Sequence, residues 1–169
     1  LNKIIVAHIE GGEISGTIDE SIRHAVTKLS HLHFASNENA KKVLIQLGEN
    51  EKNIFVIGSP DIDIMNSGNL PTLKESRKKY QIPFTDYGIL LFHPVSSEIE
   101  KIKKQIEGIV SAVIDSKENF IVVYPNNEEG ADVILKEYKK LEKNSKFKIF
   151  PSIRFEYFLT FLKNSKFIL

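Results

Sequence analysis

Cysteine and tryptophan are absent from the 169 residues, and methionine occurs once. Without cysteine there is no disulfide framework and no thiolate-ligated metal, a pattern that fits a reducing, cytoplasmic setting. No apolar run reaches the length needed to span a bilayer, and no basic-then-apolar leader is present. Neither charge sign is in excess. The net charge is +1, which gives no bulk attraction toward nucleic acid or an anionic membrane. The glycine loops of Walker and dinucleotide-binding type and the GxSxG elbow are also missing. What remains is an ordinary globular balance, with 41% hydrophobic and 27% charged residues. The length suffices for one large core or two small ones.

Apolar strand-like runs fall near 4–9, 32–36, 54–57, 88–92, 119–124, 147–150 and 167–169. Amphipathic stretches separate most of them. Ile22, Ala25, Val26 and Leu29 share one helical face, as do Ala40, Val43, Leu44 and Leu47. The longest stripe joins Ile99, Ile102, Ile106, Ile109, Val113 and Ile114. Phe155, Tyr157, Phe158 and Phe161 read as a core helix face. The Lys/Glu-rich stretch 136–148 reads as a solvated helix face followed by a loop. Such alternation predicts an α/β chain of parallel sheets, with ligands beyond the carboxyl ends of the strands. Gly58-Ser59-Pro60 marks a hinge, dividing 1–59 from 60–169. Both ends run into strand-like sequence without a closing element. The chain is therefore expected to be an internal, central fragment, or one whose ends were not seen.

The densest polar segment runs from His8 to His24. It follows a strand and ends in a helix, and it carries Glu10, Glu13, Asp19 and Glu20 with Gly11, Gly12 and Gly16. Glycine lets such a loop approach a ligand closely. Crowded carboxylates have their proton affinities driven apart, which suits acid–base work. Thr17 and Asp19 also fit N-caps, and for Glu20 the capping role is favoured. Glu10 follows an apolar strand directly, where no cap is needed, so function is favoured there. His24, His31 and His33 match no common zinc spacing, and His31 and His33 are expected to be structural. His93-Pro94 ends a buried strand, and Ser96, Ser97 and Glu98 open the next helix in capping style. His93 could meet a phosphate there or be a satisfied loop histidine, with the two equally weighted. Asn126 could bond a ligand, although a turn is the commoner use.

The run His8-Ile-Glu-Gly-Gly-Glu-Ile-Ser-Gly-Thr-Ile-Asp-Glu-Ser-Ile-Arg-His24, continued to His33, resembles the hydrolysing UDP-N-acetylglucosamine 2-epimerases of sialic acid biosynthesis. Gly58-Ser-Pro60 with Asp63, Phe92-His-Pro-Val95 and Tyr124-Pro-Asn126 extend the resemblance over nearly the whole chain. It implies two Rossmann-like halves of a glycosyltransferase-B type fold facing a cleft. Both would be incomplete here, with 1–59 the C-terminal part of the first domain and 60–169 the N-terminal part of the second. It implies a UDP-sugar substrate, no cofactor, no metal, no nucleic-acid or membrane partner, and a homo-oligomer. A base would take the C2 proton as UDP leaves C1, giving a 2-acetamidoglucal that water then hydrates. By position, Glu10 and Asp19 match the catalytic carboxylates and Arg23 an arginine near the sugar phosphate. His93 matches a histidine at the diphosphate, Asn126 a nucleotide-side contact, and the segment around Ile153 one whose backbone reads uracil. Glu13 and Glu20 are possible helpers. The family's upstream aspartate and phosphate contacts, and a Gly-Asn-Ser-Ser-like loop, are absent, so these 169 residues alone are expected to have little activity. Three other readings stay open. These are a UDP-2,4-diacetamido sugar as substrate, a non-hydrolysing epimerase, and a non-catalytic UDP-sugar-binding module.

Overall fold

Every strand pairing among the described residues of the computed structural model is parallel, as the strand–helix alternation demands. The structure describes residues 4–16, 18–94 and 99–169. The capping assignments at Thr17 and at Ser96, Ser97 and Glu98, and Val95 of the family-like run, lie outside the described residues. The chain forms two compact units, Leu1–Gly68 and Asn69–Leu169. The division falls after the Gly58-Ser59-Pro60 hinge, because Pro60 opens a further helix that stays with the first unit. Its locked φ and missing N–H suit a first helical position.

Unit 1 builds strands β1 (Ala7–Ile9), β2 (Leu32–Ala35) and β3 (Ile54–Val56) in the order β1-β2-β3. Helix α1 (Ile18–Lys28) links the first two, and α2 (Glu38–Gln46) links the second pair. Helix α3 (Pro60–Asn66) follows β3. The register sets His8 beside His33, and His33 beside Ile54. Asn37 starts α2 by accepting from the Ala40 N–H at 2.9 Å. Ala40 and Leu44 of α2 are buried with Ala35 and Ile54. Val43 and Leu47 are half-buried. The apolar face expected on α1 exists but is exposed, with Ile22 at 56% and Leu29 at 76%. Only Thr27 of that helix is buried. Residues 4–6 are exposed too, and the strand begins at Ala7.

Unit 2 begins with α4 (Leu73–Tyr80), started by a reciprocal capping box between Thr72 and Glu75. Strands β4 (Gly88–Leu90), β5 (Phe120–Val123) and β6 (Phe147–Phe150) pair in that order. They alternate with α5 (Ile99–Asp115), α6 (Ala131–Tyr138) and α7 (Phe155–Lys163). β4 and β5 are buried at every position, the mark of a sheet covered on both faces. Ile102, Ile106, Val110 and Val113 of α5 fill one side with Phe120, Val122, Ile134 and Tyr138. Ile114, expected in that stripe, is 40% exposed at the end of the helix, while Val110, not expected there, is buried. The opposite side gathers around Tyr80, whose ring meets Phe150, Tyr157 and Phe161 edge-on at 5.4–5.7 Å. Phe155 turns partly outward at the start of α7. Within 136–148, Tyr138 and Leu141 are buried beneath an exposed lysine face, and β6 has begun by Phe147. Chain residues 167–169 run beside β4 as one parallel bridge, Ile89 to Ile168.

Candidate functional site

The carboxyl ends of β1, β2 and β3 open onto a cleft of ≈ 660 Å³ in unit 1. β1 delivers Glu10, β2 delivers Ser36 and Asn37, and β3 delivers Ser59. Glu13 enters from the β1–α1 loop and Arg23 from α1.

Glu10 sits at φ 60, the left-handed region that a non-glycine side chain rarely adopts. Its N–H is held by the Phe34 carbonyl at 2.8 Å, extending the β1–β2 pairing one residue past the strand. The strained turn aims the side chain at Ser59, whose Oγ donates to Glu10 Oε1 at 2.8 Å. Strain of this kind concentrates at functional sites.

Glu13 is anchored in the same way. Ser36 Oγ donates to its Oε1, and Asn37 Nδ2 approaches that oxygen at 3.4 Å. Arg23 donates to the Glu13 carbonyl at 2.8 Å and approaches Ser15 Oγ at 3.4 Å. A guanidinium on α1 thus pins the loop that carries the carboxylates.

Glycine gives the loop its close approach, but to the protein itself. A Cβ on Gly12, at φ 84, would lie 2.3 Å from the Ala40 carbonyl oxygen. One on Gly11 would lie 2.7 Å from His8 Nδ1. The expectation that these glycines admit a ligand is replaced by packing against α2 and His8.

The four carboxylates of the loop have different fates. Glu10 and Glu13 line the cleft. Glu20 turns back, and its Oε2 accepts from the Ser15 and Gly16 N–H groups at 2.9 and 2.6 Å. Those two backbone bonds hold its carboxyl below the usual range. This is the capping use favoured for Glu20. Asp19 is exposed in the first turn of α1 and is not among the cleft-lining residues.

His8 also lines the cleft, and its Nδ1 pairs with the buried Thr27 Oγ1 at 3.1 Å. Burial, then the nearby His33 and the Arg23 guanidinium, push the His8 pKa down. His33 is 1% exposed, with Nε2 3.2 Å from Glu49 Oε2. Lys28 binds the other oxygen of Glu49 at 2.7 Å and holds its carboxyl below the usual range. His31 is exposed and accepts from the Val6 N–H at 3.2 Å. The two histidines therefore have separate, structural contacts.

Unit 2 repeats the arrangement on a smaller scale. The ends of β4, β5 and β6 enclose a pocket of ≈ 280 Å³. His93 comes from the first end, Asn126 from the second and Ile153 from the third. All three residues singled out in this half of the sequence therefore meet in one place. His93 Nδ1 is buried with no hydrogen-bond partner among the described residues. Asn126 is exposed, and its Nδ2 lies 3.5 Å from Glu128 Oε1.

Ser36, Asn37 and Ser59 were not singled out as site residues. Each lies within three residues of a strand's carboxyl end, which is the signal that could have found them. Gly58-Ser59-Pro60 reads as punctuation in the sequence, and the role of Ser59 shows only in its contact with Glu10.

The sequence profile of a family described as UDP-N-acetylglucosamine 2-epimerase matches residues 1–169. The chain is 48% identical over 168 residues to a UDP-N-acetylglucosamine 2-epimerase of Neisseria meningitidis serogroup B, covering 99% of this chain and 44% of that protein. It is 37% identical over 132 residues to a UDP-N,N'-diacetylbacillosamine 2-epimerase (hydrolyzing) of Legionella pneumophila, covering 78% of this chain and 35% of that one. Among solved structures, a UDP-GlcNAc 2-epimerase of Methanocaldococcus jannaschii in complex with UDP-GlcNAc and UDP superposes with a TM-score of 0.73 at 26% identity. That superposition covers 98% of this chain and 48% of the other. The chain thus spans less than half the length of these relatives.

Proposed function

The chain belongs to the UDP-N-acetylglucosamine 2-epimerase family, and we propose that the protein carrying it performs hydrolysing epimerisation at C2 of UDP-N-acetylglucosamine. The products are N-acetylmannosamine, as used in sialic acid synthesis, and free UDP. The observation that carries this reading is Glu10. It is held in a strained turn at a strand's carboxyl end and tethered by Ser59 in a polar cleft.

Glu10 and Asp19 exchange the C2 proton, one as base and the other as acid. Asp19 stands one helical turn before Arg23, which faces the cleft. Arg23 neutralises charge near the sugar phosphate as UDP leaves C1. In unit 2, His93 meets the diphosphate, Asn126 the nucleotide side and the backbone near Ile153 the uracil. The unpartnered His93 nitrogen supports that role, since a phosphate oxygen would satisfy it. The C-terminal part of one Rossmann-like domain and the N-terminal part of the next then divide after Gly68 rather than after Ser59. The enzyme is cytoplasmic and homo-oligomeric, and needs no cofactor. Because the chain covers 44% of its Neisseria relative, the 169 residues alone are expected to turn over little substrate.

Only eight residues separate Glu10 from Asp19, a short loop that favours the hydrolysing type. The test is the full-length enzyme with UDP-N-acetylglucosamine in D2O. N-acetylmannosamine deuterated at C2 should appear with equimolar UDP, and Glu10→Gln should abolish both. UDP-N-acetylmannosamine without free UDP would overturn the hydrolysing type. A second reading, a UDP-diacetamido sugar as substrate, is favoured by the Legionella relative. Relative turnover of the two nucleotides decides between them.

A further inference from the structure

Hydrolytic epimerisation needs more than the two groups that handle the C2 proton. Water must also add at C1, and it must lose a proton as it does so. Within this chain, Glu10 and Asp19 are given to the C2 proton, and neither is free to take the proton of the water. The cleft contains a second carboxylate, Glu13, whose Oε1 is held by Ser36 and approached by Asn37. Its Oε2 makes no hydrogen bond among the described residues, although Glu13 lines the cleft. Glu10 has the same pattern, with Ser59 on Oε1. Each carboxylate is thus fixed through one oxygen by a serine from a different strand end, with the other oxygen available. A purely structural glutamate would gain most by using both oxygens, as Glu49 does with Lys28 and His33. Glu20 also differs, being consumed by two backbone N–H groups outside the cleft lining.

Resting on the function proposed above, we infer that Glu13 is the general base for the water that hydrates the 2-acetamidoglucal. In that step the C1–C2 π pair takes a proton from the acid at C2 and forms the new C2–H bond. C1 becomes electron-poor, and the water oxygen forms the C1–O bond. The water's proton passes to Glu13 Oε2. One proton is given at C2 and one is taken from water, so the step is balanced without any co-reactant. Elimination of UDP, which precedes it, does not involve Glu13.

The test separates the two half-reactions in the full-length enzyme. Glu13→Gln supplied with UDP-N-acetylglucosamine should release UDP within about twofold of the wild-type rate. Hydration should slow by ~100-fold or more, the usual range for a lost general base, so free 2-acetamidoglucal accumulates. Ser36→Ala keeps the carboxylate but frees it, and should also accumulate the glycal, to a smaller extent. It decides the matter if Glu13→Gln fails to fold. Hydration at the wild-type rate in both variants overturns the inference. So does loss of UDP release in step with hydration. Failure of the wild-type enzyme to form N-acetylmannosamine and UDP would instead refute the underlying function.

Discussion

Among the described residues, unit 2 encloses two buried apolar clusters, one of eleven residues and one of five, whereas unit 1 encloses a single cluster of four. Yet unit 1 holds the larger and more polar cleft. The sheet of unit 2 is covered so fully that three of its strand ends leave only a small pocket. In unit 1 the helix after β1 contributes one buried residue, and its other groups are spent elsewhere. Arg23 holds the loop, and Lys28 holds Glu49 beneath His33. Order in unit 1 comes from polar tethers and in unit 2 from apolar burial, and these respond differently to mutation and pH.

Deleting buried side chains gives the largest contrast. Ile106→Ala in unit 2 should cost about 3–5 kcal/mol, because a fully enclosed site cannot close over the void. Leu44→Ala in unit 1 should cost nearer ~2 kcal/mol, since solvent borders its small cluster. Calorimetry with amide-exchange mapping of each unit measures both. Equal costs would erase the distinction.

Titration should divide the units next. The His8 pKa is depressed below 6.5 by burial, so the unfolded chain takes up its proton first and unit 1 loses stability as pH falls below that value. The Glu49 pKa is depressed below 4.5 by Lys28, and its contribution is present above 4.5 and lost as pH falls through the lower folded value. Glu75 and Glu156 of unit 2 are also depressed, but they are solvated, so they add little. In unit 2, burial pushes Tyr87 and Tyr138 up to about 12. Their contribution is complete below 10 and is lost as pH rises toward 12. Amide exchange across pH should therefore open unit 1 first in acid and unit 2 first in alkali. The reverse order would refute the tether-versus-burial account.

The smallest effect sharpens the contrast most directly. Ile22→Ser on the exposed face of α1 should change stability by no more than about 0.5 kcal/mol in this chain. A loss above ~1.5 kcal/mol, read from the same melts, would mean that the face is covered.

The strand positions, their parallel sense and the long α5 stripe were legible from local apolar periodicity. His93 was legible only as a strand-end histidine with a phosphate and a loop role evenly weighted, Asn126 read first as a turn residue, and Ile153 came from the family resemblance alone; their meeting at one pocket is a tertiary fact. The open face of α1 was not legible, since periodicity gives a helix an apolar side without saying what packs on it. Nor was the use of Gly12, which depends on the Ala40 carbonyl on another helix.

The loop from Glu10 to Glu20 shows where local chemistry stops. Its composition alone dictates a strand, a glycine-bearing crossing and a helix, with four carboxylates within eleven residues. The sorting of those carboxylates belongs to the tertiary structure. Glu20 finds its partners four and five residues away, so its cap could be read in the sequence. Glu13 and Glu10 find theirs 23 and 49 residues away, on strand ends that meet only when β1, β2 and β3 pair in register. No local pattern encodes a contact of that range, and it is these contacts that fix two acidic side chains in one cleft.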